Sequence, residues 1–521
     1  MEQEAVFILL FMIAIAVAMA VQHLVIPYTV ALVVTGLVLG LLNVFQAPHL
    51  TKSLLFSIFL PGLLFEAAFH IDFRQFWMNH LAVFSLALPG VILATALTSV
   101  ILTPVINTFH VLQGFTWKYS LVFGALISAT DPIAVVAVFK SLGVPKRLAV
   151  LLDGESLLND GTAIVFFTLS LALVSNREVT ATSLSWDFVQ IVGIGLLIGT
   201  AVGLAASQLT KQVDEPMIEI TITTIAAYGS FLVAEQLHYS GVIATVTAGM
   251  LCGNYGVSIG MSPSTRIAIE SFWSYIAFAL NSIVFLLIGF EVNLGSLLDS
   301  WQVIIVTYLV VTGARAFVIY VVSFLLRHTR ERIPWAWSVI LTWGGLRGAL
   351  PMVLALSLAP NFPHRDRIVT MAFGVIIISI LVHGLTMSPL LKWLGIVRGH
   401  EERMEYELTR GRLQADHAAL AELDHMENVY FTRKDVLSNL RKEYEQKVDQ
   451  DSNKLDEMDI EKENIKVEES KWASRHLLLV EKNEVIDSFH HGVINHIVYK
   501  ELIADIDRRL LELESKKQAE N

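Results

Sequence analysis

The 521-residue sequence predicts an all-α polytopic membrane protein followed by a soluble helical tail. Three observations carry that prediction. Hydrophobic residues make up 54% of the chain, charged residues only 16%, and the mean hydropathy is +0.59; soluble domains hold nearer to about a quarter charged residues. Apolar runs of roughly 20 residues, the length that crosses a bilayer, recur along the first 397 positions. The charge is gathered at the other end: residues 1–397 hold 17 Lys+Arg and 19 Asp+Glu, whereas the last 124 hold 20 and 29. The chain therefore divides into a transmembrane domain, 1–397, and a cytoplasmic C-terminal helical domain, 398–521. This balance excludes an enzyme that is soluble throughout and a nucleic-acid binder with a basic field. Cys252, the single cysteine, excludes a disulfide scaffold.

The first apolar run, 5–22, follows the acidic Glu2 and Glu4 and lacks the basic start and cleavage site of a signal peptide, so it reads as a retained span. Thirteen spans follow the same ruler: 5–23, 28–45, 53–70, 80–103, 117–139, 148–174, 187–209, 217–237, 240–253, 271–290, 301–326, 335–358 and 367–394. An odd number places the termini on opposite sides. One set of loops carries Arg74, Lys140, Lys146, Arg147, Lys211, Arg266, Arg327, Arg330 and Arg332; the other carries Lys52, Lys118, Arg177, Arg365 and Arg367. The richer side is cytoplasmic by the positive-inside bias, which puts the C-terminus in the cytoplasm. With no targeting segment, the cell membrane is the expected location.

Ionisable groups inside spans cost a few kcal/mol each and mark function or pairing. They include Glu66, Asp131, Asp153, Glu155, Asp160, Glu235, Arg315 and Arg347. In the sixth span Ser156 and Asp160 are four apart and share a helix face, as do Glu155 and Asn159, so the helix presents oxygens that lipid cannot satisfy. In the fifth span Asp131 precedes Pro132, whose ring and missing amide break the helix around Thr130. Freed carbonyls beside a carboxylate suit a hard cation such as Na⁺. The twelfth span is interrupted too, by Gly344, Gly345, Gly348 and Pro351 around Arg347. A matched pair of interrupted helices points to a transporter site between two inverted six-helix repeats, spans 1–6 and 8–13.

Plainer readings stand beside these. Glu155 and Arg347 can simply neutralise each other. Asn159 serves packing or tunes the field, and Arg315 reads as structural. Glu66 brings a carboxylate or an ordered water to the site, or snorkels to the interface. Glu235 and His238 read as interfacial and His383 as a satisfied core residue.

Four strings now show a family. Ala129-Thr130-Asp131-Pro132, Gly154-Glu155-Ser156-Leu157-Leu158-Asn159-Asp160, Ala234-Glu235-Gln236-Leu237-His238-Tyr239-Ser240-Gly241 and Gly344-Gly345-Leu346-Arg347-Gly348-Ala349 occur in that order. Together with Phe59-Leu60-Pro61-Gly62-Leu63-Leu64-Phe65-Glu66 they resemble the cation/proton antiporter-1 family, the bacterial NhaP-type and eukaryotic sodium/proton exchangers. The resemblance covers residues 5–395, and Gly62 departs from it where the family often has a second proline. It implies a thirteen-helix fold, a homodimer, and a core domain that moves against a dimer domain. Asp160 would be the main cation and proton carrier. Asp131, Ser156 and the Thr130 carbonyl would complete a Na⁺ shell, with Glu66 acting directly or through water. Glu155 and Arg347 match a pair that ties two core helices together. Asn159 stands where the electrogenic sister branch has a second aspartate, which implies electroneutral exchange of Na⁺, and of Li⁺, for H⁺.

Physical chemistry supports such a scheme independently. A carboxylate in a shared, desolvated site takes H⁺ or Na⁺ near working pH, but not both well. Exposed alternately to each side, such a site is an antiporter, and no cofactor is needed. K⁺/H⁺ exchange and a cation channel are the competing readings. An intramembrane aspartyl protease is excluded, because its Gly-x-Gly-Asp string is missing here. In the tail, Leu477, Leu478, Val485, Phe489, Val493, Ile497, Leu502 and Ile506 recur at helical spacing, and seven of the sixteen histidines lie there, His490, His491 and His496 among them. These predict amphipathic helices and a part in pH response.

Overall fold

The computed structural model describes residues 3–21, 27–42, 54–108, 114–174, 181–213, 215–257, 261, 263–291, 294–397, 400–429 and 434–457, with shorter stretches between 473 and 509. The chain forms two compact units, Met1–Val397 and Arg398–Asn521.

The first unit is built of helices in the order α1 (Gln3–Val21), α2 (Tyr28–Leu41), α3 (Leu60–His70), α4 (Phe73–Met78), α5 (His80–Ala87), α6 (Pro89–Thr108), α7 (Trp117–Ser128), α8 (Ile133–Leu142), α9 (Lys146–Val174), α10 (Ala181–Thr210), α11 (Pro216–Gln236), α12 (Gly241–Leu251), α13 (Pro263–Phe290), α14 (Leu294–Asp299), α15 (Trp301–Leu325), α16 (Trp335–Gly344), α17 (Ala349–Leu356) and α18 (Arg365–Trp393). A π-helical turn, Leu55–Phe59, leads into α3, and another, Cys252–Gly256, follows α12. Among the described residues, eight stretches are long and apolar enough to cross a membrane, nine if the bent pair α16 and α17 is one span. Three shorter apolar helices, Ile8–Val21, Tyr28–Leu41 and Leu55–His70, fall on the first three predicted spans, and α12 falls on the ninth. The chain is thus a polytopic helical membrane protein. Its apolar outer surface, with Val100, Leu197, Leu309 and Phe324 all exposed, is what a lipid-facing bundle presents.

Local chemistry sets the boundaries. The Asp72 carboxylate accepts the amides of Arg74 and Gln75 at 3.0 and 3.1 Å and starts α4. Ser240 accepts the Ile243 amide at 3.2 Å and starts α12. Gly143, in the left-handed region at φ 62°, ends α8.

Small residues let backbones approach. A Cβ on Gly36 of α2 would overlap the Leu286 carbonyl oxygen of α13, and Gly289 faces Gly36 across the same contact. Alanine is the better helix former by about 1 kcal/mol, yet overpacking a filled contact costs about 1–3 kcal/mol, so the clash wins. Gly36→Ala is therefore expected to lower the thermal unfolding midpoint in detergent. An unchanged or raised midpoint would show that α2 and α13 do not pack this closely.

In the second unit, α19 (His400–Val429) and α20 (Lys434–Glu457) pack as an antiparallel hairpin closed by Lys454 and Glu405 at 2.8 Å. The apolar stripe expected beyond them is only partly buried: Leu478 and Ile506 are enclosed, while Leu477, Val493 and Leu502 are exposed. His490, His491, His496 and Ile497 lie outside the described residues.

Candidate ion-binding site

The site begins where α7 stops. The break falls where Pro132 predicts it: α7 ends at Ser128, residues 129–132 are non-helical, and α8 resumes at Ile133. Asp131 stabilises the restart, its Oδ1 accepting the Ile133 amide at 3.0 Å. Three carbonyls at the end of α7 lose their helical partners. Side chains from two other helices replace them. Arg347 Nη1 donates to the Ser128 and Ala129 carbonyls at 2.8 and 3.2 Å. Asn159 Nδ2 donates to the Ser128 carbonyl at 2.9 Å and to Thr130 Oγ1 at 3.2 Å. The Ser156 hydroxyl donates to the Thr130 carbonyl.

The helix α9 delivers Glu155, Ser156, Asn159 and Asp160 within two turns. Asp160 lies near enough to Asp131 and Glu155 for their charges to act on it, and the Thr130 amide faces it. Its Oδ1 is enclosed and accepts no hydrogen bond among the described residues. Two carboxylates thus share a low-dielectric pocket with one oxygen left over, and both bare together would repel. The same stretch of α9 and the adjoining break carry neutral oxygens as well: Ser156 Oγ, the Thr130 carbonyl it donates to, and Asn159 Oδ1, also without a donor among the described residues. The arrangement can take up a small hard cation or a proton; it holds no nucleophile set beside a base.

The second interruption meets the first. Between α16 and α17, which are bent by 44°, residues 345–348 leave the helix. The Leu346 carbonyl accepts the Asp131 amide at 2.8 Å, so the two breaks are stitched to each other. Gly348 is required for this closeness, because a Cβ there would overlap Asp131.

The structure corrects one expectation. Glu155 does not pair directly with Arg347. It takes a two-pronged ion pair from Arg315 of α15, Nη1 to Oε1 at 2.7 Å and Nη2 to Oε2 at 2.8 Å, and Arg315 Nη2 also reaches the Leu341 carbonyl at 2.9 Å. Arg347 is used instead on the freed carbonyls of α7. The reason is geometric: a planar guanidinium matches a carboxylate fork from the side, and Gly345 has no Cβ to block Arg315. An arginine in an apolar span needs a carboxylate or freed carbonyls, and that demand is the available signal; which of the two each arginine finds is not legible locally.

Glu66 joins a different set. Its Oε1 lies 3.3 Å from His70 Nδ1, and Lys140 and Asp153 are its charged neighbours. Asp153 is seven residues before Asp160, about 10 Å along the helix. The structure therefore brings Asp160, Asp131, Ser156, Thr130 and Asn159 together, with Pro132 and Arg347 shaping the backbone around them, and sets Glu66 apart. His383 is a core residue, 2.8 Å from the Tyr308 hydroxyl and stacked on Trp343. Thr29, which no motif singles out, also comes close to Asp131, as described below.

Comparison with known proteins bears on this geometry. The sequence profile of the family described as sodium/hydrogen exchanger, transmembrane, matches residues 7–393. The Na(+)/H(+) antiporter ApNhaP of Aphanothece halophytica is 39% identical over 403 residues, 77% of this chain and 75% of its own length. The Na(+)/H(+) antiporter NhaH of Halobacillus dabanensis is 34% identical over 405 residues, 75% of this chain and 97% of its own. The fold resembles the solved sodium proton antiporter MjNhaP1 of Methanocaldococcus jannaschii, with a TM-score of 0.61 and 19% identity, covering 75% of this chain and 99% of that one. Two broken helices that meet, an enclosed carboxylate pair and this match over three quarters of its length agree, and the chain belongs to the sodium/hydrogen exchanger family, among its NhaP-type cation/proton antiporters.

Proposed function

We propose that this transporter exchanges Na⁺ for H⁺ across the cell membrane, the two ions competing for Asp160 and Asp131. One observation carries the reading: two carboxylates enclosed where two broken helices meet, one of their oxygens without a donor. The names of the relatives, Na(+)/H(+) antiporters, support it. Na⁺ would bind Asp131, Asp160, Ser156 and the Thr130 carbonyl, with the Ser156 hydroxyl proton turned away from that carbonyl. Hard oxygen ligands of this kind suit Na⁺ and Li⁺. Glu66, Asp153 and Lys140 would form a charged approach to the site, with Glu66 contributing through water rather than directly. Exchange is electroneutral in this reading, because Asn159 adds no second titrating charge. The wider frame is thirteen spanning helices in two inverted repeats, a homodimer, a cytoplasmic C-terminus and a tail that adjusts the response to pH.

The test uses purified full-length protein in sealed liposomes with an imposed pH gradient and a pH-sensitive dye. Na⁺ and Li⁺ are expected to collapse the gradient whether or not valinomycin and K⁺ clamp the voltage. Collapse by K⁺ alone would replace Na⁺ as the substrate. A requirement for the clamp would overturn electroneutrality. Ion currents far faster than exchange would mean a channel.

A further inference from the structure

Asp131 faces a second space. Together with Arg347 and Gly348 it lines a small, partly open cavity of about 10 Å³. That volume holds a single water. Thr29 of α2 lines the same cavity, with Phe285 and Ile380 among its apolar lining. Thr29 is only 4% exposed, and its Oγ1 has no hydrogen-bond partner among the described residues. Its place explains this. A threonine inside a helix gives its hydroxyl proton to the carbonyl one turn earlier, but Thr29 is the second residue of α2, so that position lies before the start of the helix.

The remaining chemistry of the cavity is complementary. Asp131 Oδ1 is occupied by the Ile133 amide, which leaves Oδ2 for another donor. A side chain on residue 348 would collide with that Oδ2, so glycine keeps the cavity open against it. Arg347 Nη1 is committed to the Ser128 and Ala129 carbonyls. A water needs two to four polar partners, and Thr29 Oγ1 and Asp131 Oδ2 supply a first acceptor–donor set.

We infer that this cavity is a water site on the ion path: one water bridges the Thr29 hydroxyl and the Asp131 carboxylate, and becomes an oxygen ligand of the cation bound there. The inference rests on the exchange reading above and adds a ligand from α2, outside the two broken helices. Thr29 is a positioning residue in this role, because it acts on the ion through the water.

The experiment compares Thr29→Val, of the same shape without the hydroxyl, with Thr29→Ser, which keeps it. Exchange is read in liposomes against Na⁺ concentration, and Na⁺ binding separately through the Na⁺ dependence of thermal unfolding. For Thr29→Val the half-saturating Na⁺ is expected to rise about tenfold, the scale of one hydrogen bond to a charged centre, with the maximal rate within twofold of the parent. Thr29→Ser is expected to stay within twofold on both. Half-saturation unchanged in Thr29→Val, or raised equally in both variants, would overturn the inference. Should Thr29→Val fail to reach the membrane, Thr29→Cys, whose thiol is a weak hydrogen-bonding group, replaces it with the same expected rise. A parent protein without Na⁺ dependence in either readout would overturn the exchange reading itself; a parent with it and an unchanged Thr29→Val overturns only the water site.

Discussion

Asp160→Asn is expected to abolish Na⁺-driven proton movement in liposomes, lowering the rate about a thousandfold, while the protein folds and unfolds at the parent temperature or above. The size follows from the charge removed. A cation and a carboxylate about 4 Å apart attract by about 4 kcal/mol at an effective dielectric of 20, and each 1.4 kcal/mol is about tenfold in an equilibrium. An amide also carries no titrating proton, so the H⁺ half of the cycle is lost with the Na⁺ half. Stability moves the other way. Asp160 Oδ1 is enclosed without a donor and lies near Asp131 and Glu155, so a neutral side chain relieves repulsion that the parent bears. The paired readout separates a dead carrier from a misfolded one. Exchange within tenfold of the parent, in protein of normal unfolding midpoint, would remove Asp160 from its central role and leave Asp131 as the carrier. Asp131→Asn is a milder change locally, because an asparagine oxygen still caps the Ile133 amide.

Much of this site could be read without coordinates, and the reasons are specific. Pro132 breaks a helix by its own covalent structure, so the interruption of the fifth span needed no tertiary knowledge. Ser156 and Asp160 share a face because a helix repeats every 3.6 residues. Both signals are local. What stayed hidden depends on which distant helix arrives. Arg315 lies 160 positions from Glu155, and no spacing rule connects them. By sequence Arg347 is equally available to neutralise Glu155; the close seat of Arg315 against Gly345, where a Cβ would overlap its guanidinium, is visible only in the fold. Glu66 is an intermediate case. Its motif suggests the ion site, directly or through water, and the helix that carries it sets the carboxylate beside His70 with Lys140 and Asp153 as charged neighbours. Thr29 had no signal, since a threonine early in an apolar helix is unremarked until its hydroxyl is found without a partner.

The pairing of Glu155 with Arg315 predicts the second large effect, this time on stability. Both groups are buried, Arg315 at 7% and Glu155 at 3% exposure. Removing either leaves the other charge unpaired in a low-dielectric interior, which costs about 3–5 kcal/mol. Glu155→Ala and Arg315→Ala are each expected to lower the unfolding midpoint sharply and to reduce yield in the membrane. Replacing both is a different matter. Glu155→Leu with Arg315→Met removes both desolvated charges, and buried pairs exchanged for apolar residues of similar size are often neutral or stabilising. That double variant is expected to recover most of the lost stability, so the two sites are strongly non-additive. The same double replacement with Arg347 in place of Arg315 is expected to recover little, because the Arg347 side chain makes two hydrogen bonds, to the Ser128 and Ala129 carbonyls, that are lost when it goes. Its backbone amide, which donates to Ser379 Oγ at 3.1 Å, is kept whatever the side chain. Recovery with Arg347 and none with Arg315 would reverse the assignment and restore the pairing that the motifs suggest. Exchange adds an independent reading. Arg315 lies behind Glu155 rather than at the carboxylate pair, so the rescued double variant is expected to retain Na⁺-driven proton movement. If it folds as well as the parent and carries nothing, the Glu155–Arg315 charges act on the ion itself, and the field of the buried pair would have to be counted as part of the binding site.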